Sequence, residues 1–175
     1  SVIGILINAS SANHTVQQNI IHSLSNTNVS AATVVTGINY NSSTGANIVA
    51  RNFIHSLNNA SATGQINGIN VTGGTTTYQN NIIRLGIDAA GSSITTGCSI
   101  NGINETTAGT DNFYFNSIYI GGTGVGGASN SFALQSSITS NTRNYQNNIL
   151  LNARSNGAGS GKHYAVKVGG TTANP

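Results

Sequence analysis

Residues 78–86, with the sequence Tyr-Gln-Asn-Asn-Ile-Ile-Arg-Leu-Gly, are one copy of a stretch that recurs along the chain. Four further copies can be recognised, and each places an asparagine between two groups of apolar residues. The aligned asparagines are Asn19, Asn52, Asn81, Asn116 and Asn148. Their spacing falls within the range of about 20–50 residues that is typical of solenoids, propellers and repeat arrays.

A second marker, a small residue followed by an aliphatic one, recurs with the same period. The small residues are Gly4, Gly37, Gly68, Gly102, Ala133 and Ala165. Each of the first five precedes its aligned asparagine by a nearly constant distance, as in the pairs Gly4 with Asn19 and Gly37 with Asn52. Because two independent markers recur with the same period, the chain contains a true internal repeat.

Each repeat is predicted to contain three short strands. In the second repeat the first strand runs from Gly37 to Tyr40, the second leads up to Asn52 and the third leaves it. Alternation of side chains then directs one column of residues per strand inward. The predicted inward columns are Ile5, Ile38, Ile69, Ile103, Leu134 and Val166; Val16, Val49, Tyr78, Phe113 and Tyr145; and Ile21, Ile54, Ile83, Ile118 and Leu150.

The aligned asparagines lie between two strands without a glycine. This position indicates a tight corner in the left-handed conformation, which asparagine tolerates better than most residues. In coils stacked about 4.8 Å apart, the side-chain amides would bond one another in a ladder along the axis. We therefore predict a structural ladder formed by Asn19, Asn52, Asn81, Asn116 and Asn148.

The repeated pattern of an apolar residue, a polar residue, Asn, any residue and Ile resembles that of right-handed parallel β-helix proteins. That group includes pectate lyases and many secreted surface proteins. The composition of the repeats, rich in Asn, Gly, Ser and Thr, is similar to that of β-helix portions of secreted proteins of Bacteroidetes-type bacteria. The resemblance covers essentially the whole chain, residues 1–175. It implies an all-β, right-handed parallel β-helix (a β-solenoid) with three sheets, a period of about 32 residues per coil and about five and a half coils.

The charge and hydropathy of the chain limit the classes of partner that it is expected to bind. Six basic and three acidic residues give a formal charge of +3 with no basic run, so nucleic-acid binding is not expected. No apolar run approaches the roughly 18 residues needed to span a bilayer, so membrane insertion is not expected either. The low charge density favours an extracellular or cell-surface location.

The three carboxylates are Asp88, Glu105 and Asp111. Glu105 and Asp111 flank one loop, which leaves a weak cation site open, but solvated loop carboxylates are the favoured interpretation. The resemblance implies that an active lyase or hydrolase would group several acids with a basic residue on adjacent coils. That grouping is missing, so we predict no catalytic residues, no cofactor and no metal site, and the chain is not expected to be an enzyme.

A stripe of residues is predicted to face outward from the third strand. It consists of His22, His55, Arg84, Tyr119 and Leu151, with Tyr114 on the adjoining strand. An ordinary solvent-exposed face is the favoured interpretation, and a surface that lies along a sugar chain is the alternative. His22 and His55 lack the further ligands that a metal site would need.

No cap is evident at either end of the repeat. Exposed ends predict either a segment of a longer solenoid or a subunit that stacks end to end. We therefore expect a structural, non-catalytic role as a surface stalk, adhesin shaft or filament building block. The alternative is a carbohydrate-binding or carbohydrate-cleaving β-helix whose partner is a polysaccharide.

Overall fold

The structure is a computed structural model that describes residues 1–9, 13–42 and 45–169. The described residues form β-strands joined by turns and loops, with no helix. In chain order the strands are β1 (Val2–Ala9), β2 (Thr15–Gln17), β3 (Ile20–His22), β4 (Ser25–Asn26), β5 (Val34–Ser42), β6 (Asn47–Ala50), β7 (Phe53–His55), β8 (Asn58–Asn59), β9 (Gln65–Gly73), β10 (Thr76–Gln79), β11 (Ile82–Leu85), β12 (Ser99–Glu105), β13 (Asn112–Tyr114), β14 (Ser117–Ile120), β15 (Ser131–Ser136), β16 (Asn144–Gln146), β17 (Ile149–Asn152) and β18 (His163–Val168).

These strands form three main parallel sheets that run along one axis. Sheet 1 has the order β1-β5-β9-β12-β15-β18, sheet 2 the order β16-β13-β10-β6-β2 and sheet 3 the order β17-β14-β11-β7-β3. A fourth, two-stranded sheet pairs β4 with β8. Each strand pairs with its equivalent in the next repeat, so the chain is a parallel β-solenoid of about five turns with about 32 residues per turn. The predicted fold class is confirmed.

Equivalent side chains stack in register, as the repeat predicts. Tyr78 pairs with Val49 on one side and with Phe113 on the other. Ile83 likewise pairs with Ile54 and Ile118. These residues are at most 2 % exposed, and they form one continuous apolar core inside the three sheets. Stacked aromatic rings extend this core, with centroids 5.1 Å apart for Tyr78 and Phe113 and 5.2 Å for Phe113 and Tyr145.

Sheet 1 strands are longer than predicted, and a small residue sits inside each of them. In β5 the strand begins at Val34 rather than Gly37 and ends at Ser42 rather than Tyr40. A Cβ atom added at Gly37 would lie 2.6 Å from Cγ2 of Ile54 and 2.7 Å from the backbone oxygen of Gly68. The small residue is therefore required by the close approach of sheet 3 and of the next coil.

The corner conformation was predicted for the wrong residue. The left-handed residue is the one just before each aligned asparagine, with φ of 54° to 60° at Gln18, Arg51, Asn80, Phe115 and Asn147. The physical reason is that the asparagine side chain must point into the solenoid to reach its partners. The preceding, outward-facing residue therefore makes the turn and bears the strain, about 1–2 kcal/mol per residue.

Candidate functional site

The aligned asparagines form a hydrogen-bonded column at the corner between sheets 2 and 3. Each Nδ2 donates to Oδ1 of the asparagine in the next coil. The distances are 2.9 Å from Asn19 to Asn52, 3.0 Å from Asn52 to Asn81, 3.0 Å from Asn81 to Asn116 and 3.0 Å from Asn116 to Asn148. Asn52, Asn81 and Asn116 are at most 1 % exposed. The asparagine hydrogen bonding predicted from the repeat is therefore present.

The same side chains also satisfy the backbone at the corner. The amide N–H of Asn52 donates to Oδ1 of Asn81 at 3.1 Å, and Nδ2 of Asn81 donates to the carbonyl of Val49 at 2.9 Å. An unpaired backbone group in this dry interior would cost about 1–3 kcal/mol. One asparagine per coil therefore closes the corner and ties the coil to both of its neighbours.

A second candidate site is the outer face of sheet 3, which carries two exposed columns. The predicted stripe is one of them: His22 pairs with His55, His55 with Arg84, Arg84 with Tyr119 and Tyr119 with Leu151. The other column contains the residues that directly follow the aligned asparagines: Ile20, Phe53, Ile82, Ser117 and Ile149. In it Ile20, Ile82 and Ile149 are 69 %, 53 % and 68 % exposed. This apolar outward column was missed by the sequence analysis, although its position after each asparagine was visible.

The small side chain of Ser117 opens a groove in this face. The groove has a volume of about 350 Å³ and its walls include Phe53, Ile82, Arg84, Tyr119 and Ile149. Of the six predicted outward-facing residues, five share one column of sheet 3, namely His22, His55, Arg84, Tyr119 and Leu151, and the last three of these line the groove. Tyr114 belongs to sheet 2, where its hydroxyl donates to Oδ1 of Asn112 at 3.0 Å.

The two histidines of the stripe stack on each other. Their ring centroids are 5.1 Å apart with an angle of 5° between the planes, and each Nδ1 contacts the hydroxyl of the following serine. Partial burial lowers the pKa of His55, and the nearby positive charges of His22 and Arg84 lower it further. Within residues 1–9, 13–42 and 45–169, no three His, Cys, Asp or Glu side chains form a group that could hold a metal ion.

The interpretation of the carboxylates as solvated is wrong for two of the three. Glu105 and Asp111 have no exposed surface, whereas Asp88 stays in its loop and accepts hydrogen bonds from the amides of Ala90 and Ser92. Glu105 ends β12 in register with Val71 and Ser136. That position points into the solenoid by strand alternation, so burial follows from the register despite the charge.

Compared with known proteins, the chain matches no protein-family model, no curated protein and no solved structure. The described residues contain no helix that is long and apolar enough to cross a membrane. The geometry of the chain itself is therefore the basis for any functional proposal.

Proposed function

We propose that the chain is a structural β-solenoid, a rigid segment of a surface stalk, adhesin shaft or filament in an extracellular setting. The observation that carries this proposal is the amide column, which binds each coil to the next through hydrogen bonds from Asn19 to Asn148 that are buried in its central part. Together with three continuous parallel sheets, it is expected to resist bending between coils. Such a module suits a load-bearing or spacing role, and the β-helix portions of secreted bacterial surface proteins are the class it fits best.

The placement of the acids supports a non-catalytic role. Glu105 and Asp111 are enclosed by the sheets, and no carboxylate is among the described residues that line the groove of sheet 3. General acid–base chemistry requires a titrating group within hydrogen-bond reach of the substrate. A sugar chain on this groove would meet Arg84 and Tyr119 without such an acid.

Electron microscopy of the native material tests the structural role. A fibre, a stalk or a cell-surface layer that contains this chain is the expected result, since a solenoid continued by a longer chain or by end-to-end stacking is extended. Isolated compact particles that carry a lyase or hydrolase activity would contradict the proposal.

The groove of sheet 3 supports a second candidate function, carbohydrate binding. The groove is almost wholly apolar, and its lining includes Tyr119, whose ring offers a stacking surface to a sugar ring, and Arg84. The column that contains Arg84 and Tyr119 continues with the stacked rings of His22 and His55, so an extended chain could lie along several coils. This function is compatible with a structural solenoid that also adheres to a polysaccharide.

Replacing Tyr119 with alanine separates the two functions. If the groove binds a glycan, Tyr119→Ala is expected to weaken binding about tenfold, equivalent to about 1.4 kcal/mol, because the stacking surface is lost. Tyr114→Ala is the matched control, since that ring lies on sheet 2 outside the groove. The measurement is glycan-array screening followed by titration calorimetry. Absence of any glycan binding, or equal losses for both variants, would rule out this groove as the site.

A further inference from the structure

The corner between sheets 1 and 2 contains a buried polar cluster that neither proposed function uses. Asp111 directly precedes β13, and the register of that strand stacks it between Thr76 of the coil before and Arg143 of the coil after. Glu105, at the end of β12, approaches Asp111 from sheet 1. All four side chains are at most 2 % exposed, so their charges are enclosed by the protein.

The hydrogen bonds of the two acids are incomplete. The amide N–H of Thr76 donates to Oδ1 of Asp111 at 2.8 Å, and the hydroxyl of Tyr145 donates to Oε2 of Glu105 at 3.2 Å. The second oxygen of each acid, Oδ2 of Asp111 and Oε1 of Glu105, is buried without a partner of ordinary geometry. The same holds for the hydroxyls of Tyr40, Tyr78 and Thr76 in this region, and for Nε of Arg143. The unpaired atoms thus combine carboxyl oxygens with hydroxyl groups that can donate to them.

The cluster has one buried positive charge for two buried carboxyl groups. Arg143 is the buried cation of this corner, and its guanidinium donates to the hydroxyl of Ser136 at 2.9 Å and to the carbonyl of Ile138 rather than to a carboxylate. Two ionised acids beside one guanidinium would leave an uncompensated negative charge in a dry interior, which is very unfavourable. One proton on the acid pair makes the cluster neutral and adds a donor beside the unpaired carboxyl oxygens.

We propose that Asp111 and Glu105 hold one proton between them in the folded solenoid, which makes this corner a pH-sensitive latch between sheets 1 and 2. Burial and then the negative charge of Glu105 raise the pKa of Asp111 from 3.8 to about 8, while the Thr76 amide opposes this, so the acid pair keeps one proton at neutral pH. The phenols that face the pair stay neutral, because burial raises the pKa of Tyr40 and Tyr78 and raises that of Tyr145 to about 12.

The direction in which pH changes the stability follows from the difference between the pKa of Asp111 in the folded chain and in the unfolded chain. An unfolded Asp111 releases its proton near its ordinary pKa of 3.8, whereas the folded one keeps it until about pH 8. Between these values the folded state holds more protons, so stability decreases as the pH rises. Below about pH 4 the latch is fully stabilising, and above about pH 8 its contribution is lost.

Asparagine is the informative replacement at position 111. Asn47 occupies the same column two coils earlier, and its Oδ1 accepts the amide N–H of His14 at 3.0 Å, just as Asp111 accepts that of Thr76. Asp111→Asn therefore keeps the backbone bond and supplies a permanent donor toward Glu105 without a titrating proton. Asp88→Asn is the matched control, because Asp88 is a loop carboxylate bonded to two local amides.

The test compares urea unfolding and proton release for the wild-type chain and both variants. For the wild type and Asp88→Asn, we expect unfolding at about pH 6 to release about one proton from this corner, and the unfolding equilibrium constant to increase up to about tenfold per pH unit between about pH 5 and pH 8. Asp111→Asn is expected to lose that release and most of that slope.

Two results would overturn the proposal. One is an unchanged pH slope in Asp111→Asn, or, if that variant does not fold, wild-type unfolding without proton release in potentiometric titration at about pH 6, after subtraction of the proton uptake by His55 and His163, whose pKa is lowered in the folded chain. The other is a rise in wild-type stability on addition of Ca²⁺ and its loss with a chelator, which would show that a cation and not a proton holds the two acids together.

Discussion

Asn81→Ala is expected to destabilise the solenoid by about 4 kcal/mol, because the deleted amide lies in the middle of the buried column. Its Oδ1 accepts from both nitrogens of Asn52, at 3.1 and 3.0 Å, and its Nδ2 donates to Val49 and Asn116. Alanine leaves the Asn52 amide without a partner and opens a cavity that no exposed side chain can fill. Urea denaturation followed by circular dichroism measures the loss.

The neighbouring asparagine provides the control for this prediction. Asn80 is exposed, has φ of 54° and contributes no buried side-chain bond to the column. Asn80→Gly should change stability by less than about 1 kcal/mol, because glycine adopts this conformation without strain. A similar loss for both variants, or a loss below about 1 kcal/mol for Asn81→Ala, would mean that the column does not hold the coils together.

Gly68→Ala is expected to cost about 3 kcal/mol, at the upper end of the range for inserting one carbon into a packed core. The added Cβ would lie 2.5 Å from the backbone oxygen of Gly102 and 2.7 Å from Cγ2 of Ile83. Both neighbours are themselves buried, so sheets 1 and 3 would have to separate locally. Thermal and urea unfolding should both show the loss.

The chain itself indicates how this clash is relieved. Where the small residue is Ala133 instead of glycine, the equivalent residue of sheet 3 is Leu150, which has no Cγ2 branch, whereas the glycine-containing coils have isoleucine there. Ile83→Leu should therefore rescue part of the Gly68→Ala loss, with a coupling of about 1 kcal/mol in a double-mutant cycle. Strict additivity of the two substitutions would contradict this packing account.

The period and the alternation of side chains explain why the fold was predictable. Equivalent residues such as Val49, Tyr78 and Phe113 recur at fixed distances from an aligned asparagine, so a stacked, in-register column was the simplest physical solution. The partners of the amide column followed from the same argument, because identical polar side chains at one corner can satisfy each other along the axis.

The apolar outer column of sheet 3 and the buried acid pair were harder to predict, because the polarity of a residue was taken as a guide to its burial. Glu105 was placed in solvent on account of its charge, although it lies two residues after the inward-facing Ile103 on the same strand. The apolar residues after the asparagines, such as Ile82, point outward although their hydrophobicity favours burial. The left-handed residue was not recognisable because Gln, Arg, Asn and Phe all occupy it, held there by the corner bonds and not by their own preference.

The central claim is that the side-chain amides of successive coils lie directly over one another, and nuclear Overhauser contacts between them test it most directly. We predict cross-peaks from the Nδ2 protons of Asn81 to the side-chain amide protons of Asn52 and Asn116, together with slow exchange with solvent, since each Nδ2 lies 3.0 Å from the next Oδ1. Amide protons that exchange rapidly and show contacts only to residues near in sequence would contradict the account.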